Sequence, residues 1–173
     1  MAEEGAPQSG FRTFKEFMNI SFRRAHLHDP QEIRFICEID STIPPLFDTE
    51  FLIDEAVVQS RIKEYTEKLT DDDFFDVAVT DTGRVVGFHI LHIKPHFKNA
   101  KKAMVHTLWV AENFRKQKIA QTLKNRAESW AKFHKLNHIE TWVSSKNENM
   151  IKLNQNLGFE IVNYKMRKNI IGI

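Results

Sequence analysis

Between Ala103 and Val143 the chain reads as strand, turn, helix and strand, and this order limits the fold more than any other stretch. AMVHTLWVA, residues 103–111, has the apolar and β-branched density of a buried strand. NFRKQKIA, residues 113–120, then crowds Arg115, Lys116 and Lys118 into four positions. From Lys118 to His134 the apolar residues Ile119, Leu123, Ala127, Trp130 and Ala131 make one helix face. HIETWV, residues 138–143, returns to a strand. Two strands joined through a helix are expected to lie parallel, linked by a right-handed crossover.

The remaining segments build a mixed sheet around that unit. NISFRRAHL reads as a first strand, and HDPQE as a helix start. Asp29 can cap that helix, Pro30 fits its first turn, and Glu32 sits at capping-box spacing. Ile33, Ile36 and Ile39 form its inner face until Pro44 and Pro45 stop it. A second helix covers about 54–69, with Val58, Ile62, Tyr65 and Leu69 at helical spacing. DDDFFDVAVTDTGRVVGFHILHI is a hairpin: Phe75, Val77 and Val79 alternate, and DTG supplies the turn. Gly87 marks a bulge or a close backbone approach. A short helix over about 147–157 ends at Gly158, a left-handed terminator, and FEIVNYKMRK reads as a last strand. The order is β-α-α-β-β-β-α-β-α-β, with helices on both faces of the sheet. Residues 1–18 read as a flexible N-terminal extension and 19–173 as one α/β domain, with neither repeat nor linker.

Composition narrows the function. A net charge of +2 is too mild for a nucleic-acid partner, so any basic role is local. No apolar run approaches the roughly 18–20 residues of a membrane span, and MAEEGAPQSG lacks a signal peptide's basic flank and apolar core. A cytoplasmic protein without membrane contact is expected. Cys37, the single cysteine, reads as a small core residue. His89, His92 and His96 are close in sequence, but a spacing of three puts His89 and His92 on opposite faces of a strand. No metal site is expected.

The basic turn carries the chemistry. Free N–H groups at a helix start, the macrodipole, and the cations of Arg115, Lys116 and Lys118 all favour a phosphate. Taken alone, the turn is equally explained as a solvated helix start. The second feature is NENMIKLNQNLGF, residues 147–159: an amphipathic helix with Met150, Leu153 and Leu157 on one side, closed by Gly158 and anchored by Phe159.

Together these two segments resemble the GNAT superfamily of acyl-CoA-dependent N-acyltransferases, over about residues 20–168. In LWVAENFRKQKIA, Leu108 and Val110 take the family's strand positions, Phe114 its aromatic position, Arg115 its Arg/Gln position and Ala120 its last small position. Lys118 stands where a glycine is usual, and is expected at an ordinary helical φ/ψ. The resemblance implies a mostly antiparallel sheet with a central parallel pair, splayed to admit acetyl-CoA. It further implies backbone contacts to the cofactor arm from Leu108, Trp109 and Val110. The pyrophosphate would lie on the turn from Arg115 through Lys116, Gln117, Lys118 and Ile119 to Ala120, with Asn147 and Asn154 beside the cofactor. Many members carry tyrosine at the Asn154 position to protonate the leaving thiolate; asparagine cannot act as a general acid.

The implied activity is transfer of an acetyl group to a primary amine by direct attack in a ternary complex. A non-catalytic acyl-CoA-binding or sensing module on the same fold is the alternative. Three residues are candidates for proton transfer. His106 lies four residues before Val110, and so is expected on the same strand face. Glu140 lies on the neighbouring strand, and Tyr164 on the last one. Ile43, Leu46 and Phe47 could wall the acceptor side, with Asp48 and Glu50 attracting a cationic amine. A small-molecule or peptide amine is the expected partner, and a second copy of the chain could complete the sheet edge.

Overall fold

A single sheet of five strands organises the protein. The computed structural model describes residues 19–46, 51–70, 72–96, 100–166 and 168. The expected N-terminal extension, and Phe47, Asp48 and Glu50, lie outside these described residues. The strands are β1 (Ile20–Arg24), β2 (Phe74–Thr80), β3 (Val85–Pro95), β4 (Lys101–Val110) and β5 (Ile139–Glu140). They lie side by side in that order. The first four pair antiparallel, and β4 pairs with β5 in parallel. The helices are α1 (Pro30–Ser41), α2 (Glu55–Glu67), α3 (Ile119–Phe133) and α4 (Glu148–Asn156).

Local signals explain the helix ends. Asp29 caps α1 by accepting the N–H groups of Gln31 and Glu32 at 2.9 and 3.3 Å. Glu32 does not close a capping box. Its carboxylate reaches further back, to the His26 N–H at 2.8 Å and the Arg23 guanidinium at 2.5 Å. Asp54 caps α2, and Asn147 caps α4 by accepting from Met150 N–H at 3.2 Å. Gly158 follows α4 with φ 83°, the left-handed conformation glycine supplies at least cost.

β2 is buried along its whole length because helices cover both of its faces. On one face Phe75, Val77, Val79, Phe88 and Ile90 pack against Ile33, Ile36 and Cys37 of α1 and Val58 and Tyr65 of α2. Cys37 is fully buried there, as expected, and burial first, then Asp40, pushes its thiol up to about 12. On the other face α3 presents Ile119 and Leu123 to Ala78 and Val86, and Ala127 to Phe74, Leu91 and Ala103.

Gly87 serves the site directly. A Cβ there would come within 3.2 Å of the Trp109 carbonyl and of Ile119, so its absence lets the end of β4 and the start of α3 close on β3.

Two expectations change. The 138–143 strand pairs with β4 only at Ile139 and Glu140, opposite Ala103 and Met104, and from Thr141 the chain leaves the sheet. The final strand does not form: residues 159–166 and 168 have no regular structure, and Ile161, Val162, Tyr164 and Met166 are exposed. Their alternation suits a strand, but so short a β5 gives them no ladder to join. Among the described residues, no helix is long and apolar enough to cross a membrane.

His89 is a fully buried polar residue whose hydrogen bonding is incomplete. It is 1% exposed, its Nδ1 meets the Leu123 carbonyl at 3.4 Å, and its Nε2 has no partner among the described residues. Burial, then Lys124, pushes its pKa down to about 3. The unfolded chain takes up this proton below about pH 6.5, whereas the native state refuses it until about 3. The stability that neutral His89 permits is therefore complete above pH 6.5 and falls as the pH drops. Urea unfolding from about pH 7 to about pH 4 should show a His89→Gln variant losing one proton's share of the acid slope, about 1.4 kcal/mol per pH unit.

Candidate functional site

The basic turn between β4 and α3 sets three cations beside a run of backbone N–H groups without acceptors among the described residues. Among the described residues, the backbone N–H groups of Lys116 through Gln121 meet no acceptor within the chain; the first helical bond beyond them runs from Thr122 to Lys118 at 2.9 Å. Lys116 and Lys118 are left-handed, with φ 62° and 63°. Lys118 therefore does not take the helical conformation expected of it: the turn keeps the backbone shape that glycine favours. A non-glycine residue in that well costs roughly 1–2 kcal/mol. Successive N–H groups left without partners around left-handed residues suit phosphate oxygens. Arg115 Nε donates to the Val110 carbonyl at 3.2 Å, which anchors its exposed side chain beside the turn.

Beside the turn the sheet opens. β5 stops pairing after Glu140, so among the described residues β4 has no strand neighbour on that side from Val105 to Val110. A cavity of about 550 Å³ lies near this opening, lined by residues that include Glu64, Asp73, His92, Met104, His106 and Trp142.

A buried carboxylate lies behind His106 of this lining. Asp40, 1% exposed at the end of α1, accepts from Tyr65 Oη at 2.8 Å, Arg61 Nη1 at 2.8 Å and the Thr107 hydroxyl. His106 Nε2 lies 3.3 Å from the same carboxylate and 2.9 Å from Arg61 Nη1. Burial pushes the Asp40 carboxyl up, but the hydrogen bond from His106, the charges of His106 and Arg61, and the Thr107 hydrogen bond together hold it below its ordinary value.

The β3–β4 register shifts between Ile90 and Leu91, which makes His106 the extra residue of a bulge. His106 and Thr107 therefore both turn toward α1 and α2, while Val110 packs on the α3 side. The shared face expected from a spacing of four is lost.

His92 is the residue that sequence reasoning missed. Its Nδ1 lies 3.3 Å from Asp73 Oδ1, and Asp73 Oδ2 is itself fixed by Thr70 N–H and hydroxyl at 3.0 and 3.2 Å. The ring stands edge-on to His106 at 5.4 Å. Burial is the largest influence on His92 and lowers its pKa; Asp73 pulls the other way without restoring it. His89 faces α3 instead, so the opposite faces expected of His89 and His92 are found.

The comparisons with known proteins fit this architecture. A sequence model of the acetyltransferase (GNAT) family matches residues 14–159. The chain belongs to the GNAT acetyltransferase family. No curated protein sequence matches it. Among solved structures it is similar to a Pyrococcus furiosus protein assigned as an acetyl transferase, with TM-score 0.70 and 22% identity over 88% of this chain and all of that one. A Bacillus halodurans transcriptional regulator superposes with TM-score 0.70 at 14% identity, covering 88% and 100% of the two chains. Glucosamine-6-phosphate N-acetyltransferase from Arabidopsis thaliana gives 0.63 at 15%, covering 88% and 99%. At these identities the likeness establishes the fold.

Within the GNAT frame the expected site residues separate into groups. Leu108, Trp109 and Val110 form the last residues of β4, Trp109 stacking on Phe88 at 5.4 Å. Arg115, Lys116, Gln117 and Lys118 are exposed on the turn, and Ile119 and Ala120 open α3. Asn147 caps α4, and Asn154, 5% exposed, carries an Oδ1 with no partner. Glu140 is held by Lys102 at 2.5 Å and His138 at 3.0 Å, and the Lys102 hydrogen bond lowers its pKa. Neither Glu140 nor Tyr164 lines the cavity, and Tyr164 is 85% exposed. Ile43 is half-buried and Leu46 is 70% exposed, next to residues outside the described set.

The left-handed lysine makes a test of the turn. Lys118→Gly should relieve backbone strain and leave stability unchanged or up to about 1 kcal/mol higher, since glycine's unfolded-state entropy offsets part of the gain. Lys118→Val should lower it, because a β-branched residue tolerates that well least. Equal melting temperatures for the two variants would show that the turn adopts another conformation.

Proposed function

We propose that the chain moves an acetyl group from acetyl-CoA to a primary amine by direct attack in a ternary complex, in the cytoplasm. Two features flanking β4 support this reading: the turn after its end, with its run of N–H groups unpartnered among the described residues, and the cavity beside its middle, lined by the Asp73-paired imidazole of His92. The donor set fits the cosubstrate. Six N–H groups and three cations suit a pyrophosphate, and the unpartnered Asn154 Oδ1 suits an amide N–H of the ligand's arm. Acetyl-CoA would supply the activated acyl group; the chain must bind it, orient the amine and take the amine's proton.

We assign that last task to His92 in place of His106. His106 Nε2 lies 2.9 Å from Arg61 Nη1 and 3.3 Å from Asp40 Oδ2, so that nitrogen is engaged by the protein whichever tautomer the ring adopts. His92 has the opposite arrangement. Asp73 Oδ1 favours the tautomer whose Nδ1–H donates to it, which leaves the Nε2 lone pair without a protein partner among the described residues, on a ring that lines the cavity. Its lowered pKa keeps it neutral near pH 7, as a base must be. Asp73 and Glu64 on the same wall suit an amine that arrives as a cation. Loss of activity on acidification should follow His92 protonation, below the ordinary imidazole range.

Asn154 favours a second reading, an acyl-CoA-binding module without turnover, because it cannot protonate a departing thiolate. Two measurements separate the cases. Millimolar CoA should raise the melting temperature by linkage under either reading, and no shift would sink both. Thiol release from acetyl-CoA across a panel of primary amines should then be detectable. His92→Gln should lower kcat by about 100-fold or more with CoA affinity kept. Asp73→Asn should lower it less and shift the pH profile. Unchanged turnover in His92→Gln would overturn the base assignment and leave the acetyltransferase reading standing.

A further inference from the structure

At the other end of the β4–β5 pairing, three side chains converge that acetyl transfer does not use. His96 follows β3; His138 and Glu140 stand two residues apart at β5 and so share one face of the sheet. One ligand atom from each lies within 4.8 Å of the other two. His138 Nε2 is 3.0 Å from Glu140 Oε1, and the His96 and His138 rings meet at 4.7 Å and 87°. We propose that His96, His138 and Glu140 bind one divalent transition-metal ion, best matched by zinc, which fastens β5 to the turn end of the β3–β4 hairpin.

The donor chemistry and the geometry agree. Two imidazoles and one carboxylate form a borderline N2O set that suits zinc, with water filling the remaining position. Zinc–ligand bonds of about 2.0–2.1 Å place tetrahedral ligand atoms roughly 3.3–3.4 Å apart, so side-chain rotations of about an ångström close the set. The outer shell is present. Lys102 Nζ holds Glu140 Oε2 at 2.5 Å, which fixes the carboxylate with Oε1 on the histidine side. Backbone bonds place the ligands as well: His96 N–H donates to the Ala100 carbonyl at 2.8 Å, and the His138 carbonyl accepts from Ala103 N–H at 3.0 Å.

The location gives such an ion a task. β5 contributes only two residues to the ladder, yet Trp142, just beyond it, walls the cavity. A bond network from His96 across β4 to His138 and Glu140 would hold the base of the splay where the ladder is too short to do so. The other convergent group, His26, Asp29 and Glu32, is already committed: Asp29 caps α1 and Glu32 is paired with Arg23.

The test uses the full chain freed of metal with a chelator and titrated with Co2+ and then Zn2+. One Co2+ per chain with the visible absorption of a low-coordinate site, displaced by Zn2+, is the expected result, together with a higher melting temperature in Zn2+. Glu140→Gln and His138→Asn should each weaken Zn2+ binding by more than about tenfold, while His26→Asn leaves it unchanged. Circular dichroism of each variant confirms that it is folded. Zn2+ binding weaker than about 100 µM would overturn the proposal, as would affinity lost in His26→Asn and kept in Glu140→Gln. These outcomes do not depend on whether the chain transfers acetyl groups.

Discussion

The buried carboxylate of Asp40 is the constraint on which the site depends. It draws together the end of α1, two residues of α2 and two of β4. Taking a carboxylate out of water costs several kcal/mol, and only a full set of donors offsets it. Tyr65, Arg61, Thr107 and His106 are that set. The demand has a structural consequence. Adjacent strand residues normally face opposite ways, so His106 and Thr107 can reach one carboxylate together only if β4 bulges between them. The bulge that satisfies Asp40 also turns His106 toward His92 and places both rings at the cavity.

This explains which parts of the protein were legible in the sequence. Helix starts, the hairpin turn and the strand–turn–helix unit are local events: Asp29, Gly83 and the Ile119–Ala131 stripe each act through neighbours within a few positions. The mixed sheet and its GNAT identity follow from such signals. The bulge answers to Asp40, 66 residues away from His106, so a spacing argument along β4 alone assigned His106 the wrong face. The Asp73–His92 pair spans 19 residues and two elements, and neither residue has a local signature. What could have pointed to it is the DDD run before β2, since Asp73 is held in its turn by Thr70. The last strand failed for a related reason. Alternation in EIVNYKM states a preference, but a strand also needs an edge to pair with, and β5 supplies only two residues.

The turn at Lys116–Lys118 holds local backbone strain at the site proposed for the pyrophosphate. Glycine at Lys118 would adopt φ 63° at little cost, yet would bring no charge. Lysine accepts the strain and adds a cation beside the free N–H groups. Gly87 completes the arrangement from below, since any side chain there would press on the Trp109 carbonyl and on Ile119. The glycine missing from the turn is thus replaced by a strained lysine above and a close backbone approach beneath.

The opening beside β4 and the weakness of β5 are two sides of one compromise. A longer β5 ladder would strengthen the sheet, but it would close the space between Val105 and Val110 that the proposed cosubstrate would occupy. A ladder of two pairs keeps the space and leaves β5 poorly held. Contacts outside the ladder must then fix it, and the side chains at its start do so: Lys102 bridges from β4 to Glu140, and His138 packs against His96 beyond β3. The polar cluster at the base of the splay is therefore as much a condition of the open edge as the basic turn at its mouth.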